Sequence, residues 1–151
     1  MENRRVVVTG LGAVTPVGNN VEESWQNLIA GKNGIGLNTK FDTTNFKAKL
    51  TAEVKNFDPR DYMDKMESLR TDRYTQLAIA AAQQAMEDCG IQGTVEPERF
   101  SVTLGVGIGG METFEGEHTK LMEKGPRRVS PLFIPMMIPN MAAGTIAIRH
   151  G

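Results

Sequence analysis

Between Asp72 and Cys89 the chain carries a pattern that only a helix satisfies. Tyr74, Leu77, Ala78, Ala81, Ala82, Ala85, Met86 and Cys89 recur at intervals of three and four. Gly90 follows where a helix would close. Alanines on that stripe let a neighbour come close to the helix backbone, so the spacing predicts an inner helix over 72–89.

The remaining elements are ordered around it. RRVVVTG at 4–10 is rich in β-branched residues and reads as a buried strand, and SVTLGVG at 101–107 reads as a second. NVEESWQNLIAG predicts a short helix capped by Asn20, with Glu23 at the capping-box position, Gly31 at its end and Trp25, Leu28 and Ile29 as its apolar stripe. Residues 33–50 read as loop, KLTAEVKNF (49–57) as a short strand, and Asp58-Pro59 as a turn. METFEGEHTKLMEK (111–124) reads as helical in part, GPRR breaks it, and a last helix is expected from about Asn140 to His150. Strands alternating with helices predict the α/β class with a layered sheet.

Composition narrows the function. The 151 residues suffice for one domain, and a net charge of −1 gives no global field to recruit nucleic acid or a membrane surface. A single cysteine excludes an internal disulfide and fits a cytoplasmic protein. The basic start MENRR runs into a strand-like segment broken at Gly10 and Gly12, not a secretory signal. Residues 129–148 lack any charge, yet Pro131, Pro135 and Pro139 break a regular spanning helix there. That stretch is expected to be buried or to form an interface.

Gly105, Gly107 and Gly110 satisfy G-x-G-x-x-G, the spacing of a dinucleotide-binding turn. The fingerprint also needs an acidic residue about 20 positions on to hold the ribose. The chain offers GPRRVSPLF there, so the match does not predict a nucleotide site. The glycines at 10–18 have the wrong spacing, and Pro16 stands where a phosphate-binding helix would begin. G-x-S-x-G, H-E-x-x-H and P-loop motifs are absent. Cys89 falls at the C-terminal end of its helix, the wrong end to activate a thiolate, and reads as a small packing residue. His118 reads as solvated, and His150 as a cation-compatible residue at a helix C-terminus. No metal site is expected.

Four stretches together carry a wider pattern: VVVTGLGAVTPVGNN, FDTTNF at 41, GVGIGGMETFEGEHTKLMEKGPRRVSPLFIP at 105, and NMAAGTIAI at 140. The sequence resembles β-ketoacyl-acyl carrier protein synthases over its whole length, and the synthase II branch of bacterial fatty-acid elongation more than synthase I. The resemblance implies an α/β, thiolase-like fold of which 1–151 would be the N-terminal part, its first half incomplete. It implies a decarboxylating Claisen condensation run by a cysteine and two histidines without metal or organic cofactor. Those three residues match nothing in this chain, so no catalytic residue is expected within it and the isolated chain is expected to be inactive. By the same resemblance Ile108 would project into the acyl tunnel, and Phe133 and Ile134 would reach across a homodimer to line the partner's tunnel. Lys65, Arg70, Arg127 and Arg128 would dock the acidic acyl carrier protein. Met136, Met137 and Met141 would give the uncharged stretch an adaptable apolar surface. Two other readings stay open: a non-catalytic, chain-length-factor-like partner subunit, and an unrelated α/β binding domain.

Overall fold

The computed structural model describes residues 5–151. Its elements are helix α1 (Val21–Ile29), strands β1 (Ile35–Leu37) and β2 (Leu50–Ala52), and helices α2 (Lys65–Ser68), α3 (Arg73–Cys89), α4 (Met111–Lys124), α5 (Phe133–Met137) and α6 (Asn140–His150). Short 3-10 turns at Pro59–Asp61, Pro97–Arg99 and Pro126–Arg128 each begin with proline, whose fixed φ suits a first helical position.

The long helix α3 forms where the periodicity places it. Asp72 has extended backbone and accepts from the Tyr74 N–H, and Gly90 closes the helix at φ 62°. Ile79 and Ala80 are buried, and with Met63 of the preceding turn and Ala142 and Ile146 of α6 they make up the buried apolar core of the described residues. The alanine face receives the N-terminal segment. A Cβ on Gly12 would lie 1.9 Å from the Ala81 carbonyl oxygen, and one on Gly10 would lie 2.4 Å from that of Ala85. Only glycine lets the two backbones touch in this way.

The strands expected at 4–10 and 101–107 are not formed among the described residues, and Arg4 lies outside them. Both segments have no ladder partner, and Val6 is 93% exposed. The N-terminal segment instead hands its backbone donors to α3 side chains: Leu11 N–H to Asp88 (2.9 Å) and Ala13 N–H to the Gln84 carbonyl (3.2 Å). The sheet that is present is the antiparallel pair β1–β2, with Ile35 opposite Ala52, Gly36 opposite Thr51 and Leu37 opposite Leu50. β1 lies in the stretch expected to be loop, and β2 is the core of the strand expected over 49–57.

Helix α1 is capped as its sequence indicates. The Asn20 side chain accepts from Glu23 N–H, while Glu23 reaches back to the Asn19 N–H, one residue further than in a standard capping box. Its expected apolar stripe does not face a core, since Trp25, Leu28 and Ile29 are all more than half exposed. The inner face is polar. Ser24 is buried and its hydroxyl donates to the Gly18 carbonyl, and Asn27 donates to the Val17 carbonyl. Arg149 at the end of α6 ties the far side together by binding Glu67 (2.5 Å) and the Tyr62 carbonyl (3.0 Å).

The close approach at Gly12 makes a clear prediction. Gly12→Ala should destabilise the fold by about 2 kcal/mol or more, because backbone on both sides resists displacement. Gly36→Ala, with nothing within 4 Å of the new methyl, should stay within about 0.5 kcal/mol of the parent. Paired thermal melts check this, and equal melting temperatures would remove the contact from the account.

Candidate functional site

The glycine-rich loop after residue 104 ends in a corner. Gly109 has φ 97°, and a Cβ there would lie 2.4 Å from the Met137 carbonyl oxygen. A Cβ on Gly110 would lie 2.6 Å from the Met136 carbonyl oxygen and 2.9 Å from Asp72 Oδ2. The last carbonyls of a helix have no partner within it. The Gly110 N–H satisfies Met137 at 2.9 Å, and the Tyr74 hydroxyl satisfies the Ile138 carbonyl at 2.6 Å. The loop that carries Ile108 is thereby fixed to the end of the helix that carries Phe133 and Ile134.

Asp72 secures the same corner from below. It is buried, with 6% of its surface exposed. One oxygen caps α3, and the other accepts from the Thr113 N–H (3.0 Å) and the Thr113 hydroxyl (2.6 Å) in the first turn of α4. Gly110 cannot cap α4 with a side chain, so Asp72 does this from 38 positions upstream. The helix N-terminus that a G-x-G-x-x-G reading would give to a phosphate therefore already holds a carboxylate.

Ile108 is 69% exposed and Ile134 is 52% exposed, so neither is a core residue. Phe133 is half-buried, its ring 6.2 Å from that of Phe114. Phe114, Glu117, His118, Leu121, Val129 and Phe133 enclose a small hollow of about 150 Å³. His118 is exposed as expected, but its ring also stacks on Phe114 at 6.3 Å. Met136, Met137 and Met141 are half-buried. The uncharged stretch from 129 thus contains α5, which the prolines alone did not predict. Pro135 fits because it falls in the first turn, where its missing N–H costs nothing.

Lys65 opens α2, Arg70 follows it, and Arg127 and Arg128 occupy the 3-10 turn after α4; all four are exposed. None has an ion-pair partner among the described residues. Of the acids near the first pair, Asp61 is exposed and the others are engaged elsewhere. Asp58 holds Arg60, Asp64 caps α2, Glu67 binds Arg149 and Asp72 caps two helices. Arg60 beside Asp58 holds that carboxyl down to about 2. Lys65 and Arg70 thus stand without an ion-pair partner in a stretch that remains charge-balanced, with Asp61 exposed beside them.

Glu117 organises the second pair. It is buried, accepts from Lys120 (2.5 Å) and takes the Ser130 N–H (2.6 Å), which fixes the chain just past Arg128. Those bonds, Lys120 foremost, hold its carboxyl below the ordinary 4.5. Asp72, Phe114 and Glu117 are the residues that sequence reasoning missed. An aspartate before a helix signals one cap, but nothing local shows a second cap on a distant helix.

Cys89, His118 and His150 do not form a catalytic set. Cys89 is half-buried at the end of α3, and its thiol donates to the Met86 carbonyl. His150 ends α6, with its Nδ1 buried and unpartnered. No cluster of three or more His, Cys, Asp or Glu fit to hold a metal occurs among the described residues. No helix of the described residues is long and apolar enough to cross a membrane.

Comparison with known proteins adds the family. The family described as "Beta-ketoacyl synthase, N-terminal domain" matches residues 3–151. A 3-oxoacyl-[acyl-carrier-protein] synthase 2 of Staphylococcus aureus (strain COL) is 49% identical over 151 residues, covering 99% of this chain and 36% of its own length. The synthase of the same name from Vibrio cholerae is 49% identical and is covered over 37% of its length. The chain thus spans little more than a third of the curated relatives it matches. The ishigamide ketosynthase/chain length factor superposes with TM-score 0.81 at 27% identity, over 97% of this chain and 37% of that one. A type II PKS ketosynthase, solved with its acyl-carrier protein, superposes equally well (TM-score 0.81) at 22% identity, over 99% of this chain and 39% of that one. The expected α/β, thiolase-like fold is the fold of these neighbours, although the described residues pair only two of its strands.

The Glu117 contacts predict an acid-sensitive site. A carboxylate whose folded value is lowered stabilises the fold above its unfolded value, and that contribution disappears as pH falls through the folded value. Glu117→Gln should therefore melt below the parent at pH 7, and the gap should close on acidification below 4.5. A gap independent of pH would show that the charge of Glu117 is not what matters.

Proposed function

This chain belongs to the β-ketoacyl synthase family, and we propose that it forms the N-terminal part of a 3-oxoacyl-acyl-carrier-protein synthase II of fatty-acid elongation. The observation that carries the reading is 49% identity across 99% of the chain to proteins of that name. Such an enzyme joins an acyl group held on a cysteine to malonyl-carrier protein with loss of carbon dioxide. The nucleophile and its two histidines would lie outside these 151 residues, which would supply tunnel wall and docking surface. A chain-length-factor-like partner is the weaker reading, because likeness to the ketosynthase/chain length factor is 27% against 49% for the synthases.

The geometry fits those roles. Ile108, on the glycine-rich loop, presents an exposed apolar side chain. Ile134, Met111, Met122 and Leu121 are also exposed, and apolar side chains left in the open on α4 and α5 suit a surface that a partner covers. We assign that surface to the homodimer contact, with Phe133 and Ile134 facing the partner's tunnel. Arg127, Arg128, Lys65 and Arg70 are exposed and have no ion-pair partner among the described residues, which suits them to steer an acidic carrier protein. Soluble carrier substrates and a single free cysteine fit a cytoplasmic enzyme.

Two measurements on the intact synthase test these roles. Ile108→Phe should shorten the acyl chain accepted, since a bulkier ring would fill the tunnel; an unchanged chain-length profile would withdraw the tunnel role. Arg127→Glu with Arg128→Glu should raise KM for acyl-carrier protein about tenfold or more at low salt, with less effect at high salt. An unchanged KM would remove the docking role. The 151-residue chain alone should show no condensation of acyl thioesters.

A further inference from the structure

We propose that Asp72 is a positioning residue for acyl-chain selection: by capping α3 and α4 together it fixes the Gly109–Gly110 corner, and with it Ile108, against the end of α5. The inference rests on the reading of Ile108 as a tunnel residue.

Three observations converge on Asp72. It is buried and accepts from Tyr74 N–H, Thr113 N–H and Thr113 Oγ1, so both carboxylate oxygens are engaged. Oδ2 stands 2.9 Å from where a Cβ on Gly110 would be, so the carboxylate packs directly beneath the corner. On the other side of that corner the Gly110 N–H holds the Met137 carbonyl. The residue that follows Asp72 by two, Tyr74, holds the Ile138 carbonyl. Asp72 thus joins the starts of two helices and, through Gly110 and Tyr74, the end of a third. Ile108 stands two residues before Gly110 and makes no such bond of its own. Its placement relative to α5 depends on the corner.

Asp72 is buried and both its oxygens accept from Tyr74 and Thr113, so we place its effect on the acyl chain in the corner it holds. An asparagine would keep its shape but turn an amide donor toward one of the N–H groups. Thr113→Val would keep the shape of Thr113 and remove one donor. If the corner relaxes, Ile108 loses its fixed position, and discrimination between long and short acyl chains weakens. A methylene in an apolar pocket is worth roughly tenfold in kcat/KM, so a partial loss of placement should be readable.

The test uses the intact synthase with acyl-carrier substrates of several chain lengths. Thr113→Val and Asp72→Asn should each change the ratio of kcat/KM between long and short chains by about threefold or more. Thr113→Ser, which restores the hydroxyl, should return the ratio to that of the parent. A purely structural role would lower kcat/KM equally at every length and lower the melting temperature, and that result overturns the proposal. Should Thr113→Val fail to fold, Asp72→Asn decides by the same ratio. If neither folds, Thr113→Ser decides with Thr113→Ala, where a ratio identical in both to the parent overturns the proposal. Ile108→Phe separates the two readings. If it leaves the profile unchanged, the tunnel reading falls; if it shifts the profile while the Asp72 and Thr113 variants do not, only the positioning role falls.

Discussion

The contact on which this arrangement depends is one of backbone against backbone, where Gly10 and Gly12 lie on the alanine face of α3. Without side chains at the contact, the extended segment comes close enough for Asp88 and Gln84 to reach its N–H groups. Gln84 also donates to the Asn19 carbonyl and to the Tyr62 hydroxyl. One helix face thus binds the N-terminal segment, the start of α1 and the turn before α2. The opposite side of α3 packs on α6 through Ile79 and Ala80. Its first turn, through Asp72 and Tyr74, holds α4 and the end of α5. α3 is the common support of the chain.

That support explains why the candidate site can be exposed and still ordered. Burial is what usually fixes an apolar side chain, and Ile108 does not have it. Its loop is fixed by hydrogen bonds and glycine sterics at Gly109 and Gly110. A tunnel wall needs both properties, an apolar side chain left free to meet a substrate and a backbone that does not move away. The basic residues follow the same logic. Asp64 and Asp72 are committed to caps and Glu67 to Arg149, so Lys65 and Arg70 are left exposed without an ion pair as a consequence of how the helices are built.

What was legible in the sequence divides along the same line. Helices α1, α3, α4 and α6 were readable because caps and periodicity are local. α5 was not, because its start rests on Pro135 in a first turn, and the prolines there read as breakers. The strands at 4–10 and 101–107 were read from β-branched composition, which records a preference for extended backbone; ladder pairing requires neighbours that composition cannot supply. The Trp25 stripe failed for a related reason. Amphipathicity shows that a helix has an apolar side, but not which side its neighbours will bind, and Ser24 and Asn27 bind first. The site residues came from the family pattern, whereas the absence of ion-pair partners for those cations emerged only when the partners of the nearby acids were known.

The glycine pattern at 105–110 shows how one motif can serve two physical ends. Glycines before a helix permit close approach, and the helix N-terminus attracts negative charge. A nucleotide-binding turn uses both properties for a phosphate. Here the close approach is made to the carbonyls of Met136 and Met137, and the negative charge comes from Asp72. Gly105 and Gly107, the two that open the fingerprint, meet nothing within 4 Å, while Gly109, which the fingerprint does not require, makes the closest approach of the glycines in this loop. The side chain left projecting from such a corner is Ile108. Occupying the helix terminus with an internal carboxylate is what frees the loop to present an apolar residue in place of an anion site.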